Sequence, residues 1–484
     1  MKILFLSSEV APFSRTGGLA DVAQALPATL ASLGEKVTVV TPLYPSVRDQ
    51  RVRPLRQNLT LRFPFGEETG ALYRATLSNN HRVLFIRHDG FFDRPGLYQP
   101  PVGPDYGDNH RRFAFFSMAA LSAAQLIGFV PDVLHLNDWQ TGLAAVALKG
   151  GYRKTELRNA KALFTIHNLA YQGLSPMSAA SELGLPSNLL TPEQLEFYGQ
   201  LSFLKAGLVF SDGLTTVSPT YAREIQTPEL GCGLDGLLRK LGPRLIGILN
   251  GIDDRQWNPT KDRALPARYS PRDLSGKAES KRALLRELGL LRDPSDVQLP
   301  LFGLVTRLAV QKGIDILLSA IPMMLRERLK LAILGSGDIT LERRLQRLAA
   351  SAPKDLAVRI DFNLGLSHRI EGGSDFFLMP SRYEPCGLSQ LYSLRYGTIP
   401  VVRATGGLDD TVVDLSQPNG TGIKFRQYSA DALMAAVRRA LALYDDPEKL
   451  QEVRIQGMNQ DFSWKASAKH YRTVYRRLVG GRWK

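Results

Sequence analysis

The sequence predicts an α/β protein made of two doubly wound parallel sheets. Short apolar runs without strict alternation recur along the chain, which is typical of strands buried on both faces of a parallel sheet. Amphipathic helical patterns separate these runs, as in repeated βα units. The chain has 484 residues, which is too long for a single hydrophobic core, so we expect two or three domains.

The first half of the chain contains six candidate strands that are rich in apolar and β-branched residues. They cover residues 2–6, 36–40, 82–87, 133–136, 162–166 and 213–217. A helix predicted over 20–33 ends before Gly34, because glycine is the usual residue just beyond a helix terminus. The apolar stretch 113–130 is interrupted by Ser117, Ser122 and Gln125, so it predicts a core helix and not a membrane span.

A second set of apolar runs indicates that a new sheet begins near residue 244. These runs cover 244–249, 301–306, 331–334, 358–362, 376–379 and 399–403. Gly247, Gly251 and Pro259 interrupt the pattern over 239–258, which predicts the joint between the domains. The polar loop 270–278 is the other candidate for this joint. We therefore predict an amino-terminal domain over 1–247, a carboxy-terminal domain over 248–460 and a final helix over 461–484 that returns to the first domain.

The composition limits which class of protein this chain can belong to and which partners it can bind. With 44% hydrophobic and 22% charged residues, the chain is an ordinary globular protein. Two cysteines cannot form a disulfide framework, and the amino terminus is apolar too briefly for a signal peptide, so we expect a cytoplasmic location. The net charge of +15 is spread along the chain. Without zinc-finger or RNA-recognition signatures, an anionic small substrate is favoured over nucleic acid or a membrane.

Two cations mark the end of the predicted strand 301–306. Arg307 and Lys312 lie between this strand and an amphipathic helical pattern that starts near Ile314. The carboxyl ends of the strands are where a doubly wound sheet holds its ligands. Two fixed cations at a helix start suit an anion, most simply a diphosphate, although a solvated basic face is the alternative.

Three other loops also follow predicted strands. The segment RTGGLAD at 15–21 carries paired glycines that allow a phosphate to approach the backbone, or that only form a tight turn. The pair His167 and Asn168 suits a hydroxylated ligand, unless the histidine is merely satisfied by backbone groups. Asp138 beside Trp139 suits a sugar, through hydroxyl hydrogen bonds and ring stacking, but the alternative for Asn137 and Asp138 is a helix N-cap.

The segment SRYEPCGLS at 381–389 follows the strand 376–379 and opens a helix. Glu384 stands in the loop, and the residues from Gly387 onward present amide groups at the helix start. A carboxylate beside an anion-binding helix end is electrostatically unfavourable, so its presence indicates a cationic or hydroxylated partner. After the strand 399–403, Thr405 is followed by another glycine pair, which begins at Gly406.

In chain order, these motifs closely resemble those of the bacterial glycogen synthase and plant starch synthase family. Its members are retaining glycosyltransferases of the GT-B type that use ADP-glucose. The matching segments are RTGGLAD at 15–21, HLNDW at 135–139, TIHNL at 165–169, NGID at 250–253, RL at 307–308 with QKG at 311–313, the stretch 376–390, and TGGL at 405–408. They span nearly the whole chain.

The resemblance implies two Rossmann-like domains around a deep cleft, and transfer of glucose from ADP-glucose to the non-reducing end of an α-1,4-glucan primer with retention. Arg307 and Lys312 would bind the diphosphate, and Glu384 and His167 would lie beside the transferred glucose. The resemblance also implies a set of residues that line the donor or sugar pocket: Arg15, Gly18, Asp21, Asp138, Asn250, Cys386, Gly387, Leu388, Thr405 and Gly406. Tyr98 and Trp139 are assigned to glucose or glucan.

One residue departs from the family pattern and several alternatives stay open. The family usually has lysine where this chain has Arg15, and the two cations differ in shape and donor geometry. The chain has no Asp-x-Asp pair, so we expect protein cations in place of a metal and no cofactor. A UDP-glucose enzyme and a non-catalytic glucan-binding protein remain alternatives. The missing dinucleotide fingerprint disfavours an NAD dehydrogenase, and oligomeric state is left open.

Overall fold

The computed structural model describes residues 1–47, 52–78, 80–101 and 103–481, so the last three residues of the predicted carboxy-terminal segment lie outside the described residues. The chain divides into two compact units. The first comprises 1–217, 222–248 and the segment from 464 onward, and the second comprises 218–221 and 249–463. No helix among the described residues has the length and apolar character needed to cross a membrane.

The first unit is built on strands that the chain forms between its amino terminus and residue 247. They are β1 (Lys2–Leu6), β2 (Lys36–Pro42), β3 (Arg53–Phe63), β4 (Gly66–Ser78), β5 (His81–Arg87), β6 (Val133–Asn137), β7 (Lys161–Ile166), β8 (Leu174–Pro176), β9 (Glu196–Phe197), β10 (Gln200–Ser202), β11 (Gly213–Thr216) and β12 (Leu245–Gly247). Nine of them form one sheet in the order β12-β11-β7-β6-β1-β2-β5-β4-β3. The strands from β12 to β5 are parallel, and β4 pairs antiparallel with both of its neighbours.

The second unit contains a six-stranded sheet in which all pairs are parallel. Its strands are β13 (Leu301–Val305), β14 (Lys330–Leu334), β15 (Leu356–Arg359), β16 (Phe376–Met379), β17 (Ile399–Arg403) and β18 (Ile423–Phe425). They are ordered β15-β14-β13-β16-β17-β18. The chain reverses direction across the sheet between β13 and β16, so the carboxyl ends of these two strands form a topological switch point, where such sheets bind ligands.

The helices alternate with the strands and bury one face against the sheets. In chain order they are α1 (Gly18–Ser32), α2 (Asp89–Phe92), α3 (Asn109–Leu126), α4 (Gly142–Lys149), α5 (Ala179–Glu182), α6 (Phe203–Phe210), α7 (Pro219–Glu224), α8 (Asp235–Leu241), α9 (Ser275–Leu288), α10 (Ile314–Met324), α11 (Ile339–Ser351), α12 (Leu364–Gly373), α13 (Ser389–Arg395), α14 (Gly406–Thr411), α15 (Ala430–Tyr444), α16 (Pro447–Met458) and α17 (Trp464–Val479).

The last helix, α17, is part of the first unit. Trp464, Tyr471 and Tyr475 are buried in the same hydrophobic cluster as β1 and α1. The Tyr475 hydroxyl shares a hydrogen bond of 2.7 Å with Nδ1 of His135 on β6. The apolar residues at helical spacing in this segment therefore form a buried face of α17.

Most predicted strands are confirmed, and four details of the sequence interpretation are wrong. The segment near 244–249 does not open the second sheet, because β12 pairs with β11 at the edge of the first. The long hairpin of β3 and β4 was not predicted. The strand expected over 358–362 lies earlier, at β15, and Phe362 is beyond its end. The supposed polar loop 270–278 already contains the start of α9.

Candidate functional site

The predicted site residues of the second unit gather at the carboxyl ends of β13 and β16. The strongest contact is an ion pair of 2.6 Å between the Lys312 ammonium and Oε2 of Glu384. The Ser381 hydroxyl donates to the same carboxylate oxygen at 3.1 Å. The side chain of Glu384 is 7% exposed and that of Lys312 is 21% exposed. The cationic partner that the carboxylate requires is thus supplied by the chain itself.

Two loops are tied together to make this ion pair. The backbone N–H of Arg382 donates to the carbonyl of Gln311 at 2.8 Å. Gly313 has a φ of +74°, and a Cβ on it would lie 1.9 Å from the carbonyl oxygen of Pro380. Only glycine fits both conditions. The QKG segment therefore packs directly on the loop that carries Glu384.

Arg307 lies at the same edge of the sheet as Lys312. It is exposed at the end of β13, and its Nη2 donates to Oε1 of Gln311 at 3.1 Å. Because Gln311 directly precedes Lys312, the two cations are held by one short turn. Their position is where the sequence predicted a diphosphate site.

Asn250 and Cys386 form a buried pair in the same unit. The backbone N–H of Asn250 donates to the Cys386 thiol, and burial raises the pKa of that thiol to about 12, so it is a packing group and not a nucleophile. Asn250 is 7% exposed. Among the described residues, its buried Oδ1 has no hydrogen-bond partner. An unpaired buried acceptor costs free energy of folding, so a hydroxyl group of a ligand is a suitable partner for it.

The second glycine pair has a structural reason. Gly406 has a φ of +46°, and a Cβ there would lie 1.9 Å from the carbonyl oxygen of Glu384. A Cβ on Gly407 would lie 2.0 Å from the carbonyl oxygen of Cys386. The turn after β17, where the buried Thr405 precedes α14, is thus pressed against the Glu384 loop.

A small cavity of about 50 Å³ lies at this place. Lys312 and Glu384 line it together with Thr306 and the amide-bearing residues Gly387 and Leu388. A larger cavity of about 250 Å³ lies elsewhere in the unit, around Asp254, Arg395 and Phe462. It holds none of the predicted site residues, whereas Lys312, Glu384, Gly387 and Leu388 line the smaller cavity.

In the first unit, Asn137, Asp138 and His167 come together at the carboxyl ends of β6 and β7. Asp138 Oδ1 accepts the backbone N–H groups of His167 at 2.7 Å and Asn168 at 3.4 Å. Nε2 of His167 lies 2.9 Å from Oδ1 of Asn137. Neither Asn137 nor Asp138 caps a helix with its side chain. Asp138 does stand at the N-cap position of the short helix Trp139–Thr141, so the N-cap alternative is correct for the position of Asp138 but not for its side chain. Both side chains instead hold the loop at 167–168.

Burial shifts the titration of three groups around this loop. It lowers the pKa of His167 to about 3, so the imidazole is neutral at physiological pH. It raises the pKa of Asp138 to about 7 against the opposing N–H groups of His167 and Asn168. It also raises the pKa of Glu9 to about 7, although Thr16 and Gly17 donate to that carboxylate. Such displaced values cluster at functional sites.

The loop with the sequence RTGGLAD is held by Glu9 and by its own ion pair. Glu9, which is 3% exposed, accepts both the backbone N–H and the hydroxyl of Thr16. Arg15 and Asp21 form an ion pair of 2.9 Å. At Gly17, which directly precedes Gly18 and α1, the backbone is extended and a Cβ would meet no atom within 4 Å. The turn does not require a glycine there, which leaves room for a ligand at the backbone.

The two aromatic candidates have different surroundings. The hydroxyl of Tyr98 bonds to Ser8 at 2.7 Å and to Glu9 at 3.3 Å, so this residue belongs to the network around the RTGGLAD loop. Trp139 is 7% exposed and packs edge-on against Phe113, with ring centroids 4.9 Å apart. It is a core residue in this structure, and its stacking on a sugar gains no support.

The sequence interpretation missed several groups that complete these clusters. Glu9, Ser381 and Asn137 each bind a predicted site residue or its loop, yet none of them was predicted to have a role in the site, because each looks like an ordinary polar residue at or after the end of a strand. Phe362 stands 80% exposed beyond the carboxyl end of β15. Its only signal was an aromatic residue at the end of an apolar run. The described residues bring no three histidine, cysteine or carboxylate side chains together as metal ligands.

A mostly parallel nine-stranded sheet and a parallel six-stranded sheet, each with polar loops at the carboxyl ends of its strands, form the fold of the GT-B glycosyltransferases, and comparisons with known proteins place the chain in that class. The model of the starch synthase catalytic domain matches residues 2–240, and that of glycosyl transferases group 1 matches 293–456. A glycogen synthase of Myxococcus xanthus is 56% identical over 99% of this chain and 100% of its own. The chain belongs to the glycogen synthase family.

Other comparisons agree with this family and fold. Glycogen synthase 2 of Geobacter sulfurreducens is 46% identical over 98% of each chain. Among solved structures, the catalytic domain of starch synthase IV from Arabidopsis thaliana, bound to ADP and acarbose, has a TM-score of 0.91 and 34% identity over 99% of each chain. Sucrose-phosphate synthase from Thermosynechococcus elongatus, with a TM-score of 0.63 and 18% identity over 99% of each chain, shares the fold alone.

Proposed function

We propose that this glycosyltransferase transfers glucose from ADP-glucose to the non-reducing end of an α-1,4-glucan with retention of configuration, and releases ADP. The observation that carries the proposal is the pair of Lys312 and Glu384 at the switch point of the second sheet, 2.6 Å apart. The family supports the reaction class, and the ADP in the starch synthase IV structure supports the choice of donor.

The diphosphate is assigned to Arg307 and Lys312. As the bond between glucose and ADP breaks, negative charge grows on the leaving phosphate oxygens. Fixed cations in a partly buried site stabilise that charge more in the transition state than in the ground state, which is worth several kcal/mol at order of magnitude. Phe362, exposed two strands away from β13, offers an aromatic face on which a nucleotide base can stack.

Glu384 is assigned to the transferred glucose. Its Oε2 is engaged by Lys312 and Ser381, and among the described residues no hydrogen bond uses its Oε1. That oxygen can accept a sugar hydroxyl or stabilise positive charge that develops at the anomeric carbon. We propose that the acceptor hydroxyl attacks from the face that ADP leaves, without a covalent enzyme intermediate.

Residues of the first unit are assigned to sugar hydroxyls and to the donor. His167, Asp138 and Tyr98 present polar groups at the carboxyl edge of the first sheet, and Arg15, Gly18 and Asp21 belong to the loop that begins α1. Asn250, Gly387, Leu388, Thr405 and Gly406 are assigned to the donor pocket of the second unit. Cys386 supports that pocket by packing.

Release of ADP from ADP-glucose with a glycogen primer tests the proposal. We expect Lys312→Ala to lower kcat by about 100-fold or more, because one charge-stabilising donor is lost. Lys424→Ala is the matched control, since Lys424 also has a 21% exposed side chain and a carboxylate partner at 2.6 Å. Near-normal turnover in Lys312→Ala would contradict the leaving-group role. A wild-type enzyme that releases UDP faster than ADP would contradict the donor.

A further inference from the structure

The amide of Asn137 has a fixed orientation. Its Nδ2 lies 2.8 Å from the backbone carbonyl of Leu6, which can only accept a hydrogen bond. The amide nitrogen must therefore point to Leu6 and the amide oxygen to His167. Asn137 is fully buried, so no water competes for either contact. The side chain offers His167 an acceptor and nothing else.

The ring of His167 has one proton, and this contact decides where it is. Burial lowers the pKa of His167 to about 3, so at neutral pH the ring is uncharged and carries a single N–H. Since Oδ1 of Asn137 lies 2.9 Å from Nε2 and can only accept, the proton must be on Nε2. Nδ1 then carries a lone pair. Among the described residues, no hydrogen bond uses Nδ1.

We propose that Asn137 is a positioning residue that locks His167 in the Nε2–H tautomer, so that Nδ1 accepts a hydrogen bond from a hydroxyl group of the bound sugar. The assignment of a sugar rests on the proposed function, whereas the tautomer follows from this chain's own contacts. The half-buried ring of His167 leaves a path for such a ligand.

The surroundings oppose the other tautomer. A proton on Nδ1 would place the lone pair of Nε2 against the lone pairs of the Asn137 oxygen, which exchanges a hydrogen bond for a repulsion between buried acceptors. The titratable side chains linked to His167 are His135, which burial also keeps neutral by lowering its pKa, and Asp138, whose Oδ1 is held by backbone N–H groups of the loop. Both ring nitrogens of His135 are engaged, by Tyr475 and Thr165, and the Asp138 oxygen that faces the loop is engaged by the backbone N–H groups, so neither contact reverses this preference.

Nitrogen NMR of the imidazole rings tests the tautomer without any substrate. In full-length protein labelled at histidine, the signals of His167 are assigned by their absence in His167→Gln. We expect the Nε2–H pattern, unchanged from about pH 6 to about pH 8. An Nδ1–H pattern, or a mixture of the two tautomers, would overturn the proposal.

Two variants of Asn137 connect the tautomer to turnover. Asn137→Leu removes the acceptor, so we expect mixed tautomers and a kcat that falls by about 10- to 100-fold, the range known for metal-ligating histidines that lose their second hydrogen-bond partner. Asn137→Asp gives up the donor to the Leu6 carbonyl and raises the pKa of the ring through its charge, but it keeps an acceptor at Nε2 and should keep the proton there and more of the activity. A normal kcat in Asn137→Leu with mixed tautomers, or an equal loss in both variants with the tautomer unchanged, would overturn the role of Nδ1.

The two proposals fail in different ways. If the wild-type protein shows the Nε2–H pattern but releases no ADP from ADP-glucose, the proposed function is wrong, and so is the assignment of the Nδ1 ligand to a sugar of that reaction. If it releases ADP while His167 carries its proton on Nδ1, the inference about Asn137 is wrong and the function stands.

Discussion

At the scale of single residues, the polar groups of both units are held by partners that leave one functional atom available. Lys312 and Ser381 both bind Oε2 of Glu384, and Asn137 occupies Nε2 of His167. Each arrangement fixes a side chain in advance, so that less ordering is needed when a ligand binds. In each group one atom is bound by the protein and the other is left for a ligand. A sequence does not reveal this arrangement, because it depends on contacts between separate loops.

Arg15 stands where the family resemblance predicts a lysine, and its ion pair makes a specific prediction. Its Nη2 binds Asp21 at 2.9 Å, which leaves other guanidinium donors for a phosphate. A lysine has one nitrogen for both tasks. We expect Arg15→Lys to change the KM for ADP-glucose by about 3- to 10-fold with a smaller effect on kcat, measured by initial rates of ADP release.

Arg62→Lys is the control for this substitution. Arg62 also pairs with a carboxylate, that of Glu67 at 3.1 Å, but its side chain is 89% exposed on the β3–β4 hairpin. We expect no change in KM there. An unchanged KM in Arg15→Lys would remove the idea that the guanidinium adjusts donor affinity.

At the scale of elements, the loops after β13, β16 and β17 form one packed assembly in the second unit. Gly313 and Gly406 each bring backbone to within contact of the 380–384 loop, and neither tolerates a Cβ. We expect Gly406→Ala to lower the melting temperature and to lower kcat by at least about tenfold, because the displaced carbonyl belongs to Glu384 itself and small misplacements of reacting groups are costly.

The control for the glycine substitution is Gly151→Ala. A Cβ at Gly151 would meet no atom within 4 Å, and its φ is not among the positive values of the chain. Melting temperature by calorimetry and kcat by ADP release should both stay near wild type there. If Gly406→Ala behaved in the same way, the close approach between the two loops would have no role in holding Glu384.

The elements also show what the sequence could predict and why the rest failed. The strands β1, β6, β13 and β16 are buried on both faces, and their continuous apolar runs identify them. The hairpin of β3 and β4 lies at the sheet edge and is largely exposed, so its polar residues and Pro54 hide the strand signal. The three-residue β12 was assigned to the wrong sheet, because only its pairing with β11 decides its place.

The candidate site shows the same limit: the sequence indicates residues in recognisable motifs but not contacts between distant segments. Arg307, Lys312, Glu384 and His167 could be predicted as site residues because each lies in the loop that follows a recognisable strand and belongs to a distinctive motif. The sequence could not show why Gly406 and Gly407 are both glycines, because the backbone carbonyls that they approach lie more than twenty residues away in sequence. Trp139 looked like a sugar platform because a sequence does not reveal that Phe113 and Phe203 surround the ring.

At the scale of the whole molecule, the net charge affects the binding of an anionic substrate, and the path of the chain determines how the first unit is completed. The net charge of +15 raises the local concentration of an anionic donor around the protein at low salt. The chain leaves the first unit at residue 248 and returns to it at 464, where Arg472 of α17 binds Glu35 at 2.8 Å. The first unit is therefore completed only by the last residues of the chain.

The stability of the first unit should depend on pH through Glu9. Burial raises the pKa of this carboxyl from 4.5 to about 7, and the groups that face it are Thr16, Gly17, Tyr98, Tyr44 and Asp138. Below about pH 4.5 the carboxyl is protonated in both states and has no differential effect. Between about pH 4.5 and about pH 7 the unfolded chain loses the proton while the folded chain keeps it, so rising pH lowers the free energy of unfolding.

We therefore expect Glu9→Gln, which cannot ionise, to lose less melting temperature than wild type between about pH 5 and about pH 8. The difference corresponds to about 3 kcal/mol if the whole shift is expressed. Glu67→Gln on the exposed hairpin removes one charge without burial and should follow wild type. Because Asp138 also has a raised pKa and a Coulombic link to Glu9, the variant should keep part of the pH dependence, and Glu9→Gln with Asp138→Asn should remove more. Equal changes in melting temperature from pH 5 to pH 8 in wild type and in Glu9→Gln would show that the Glu9 carboxylate is ionised in the fold, held by the donors of Thr16 and Gly17.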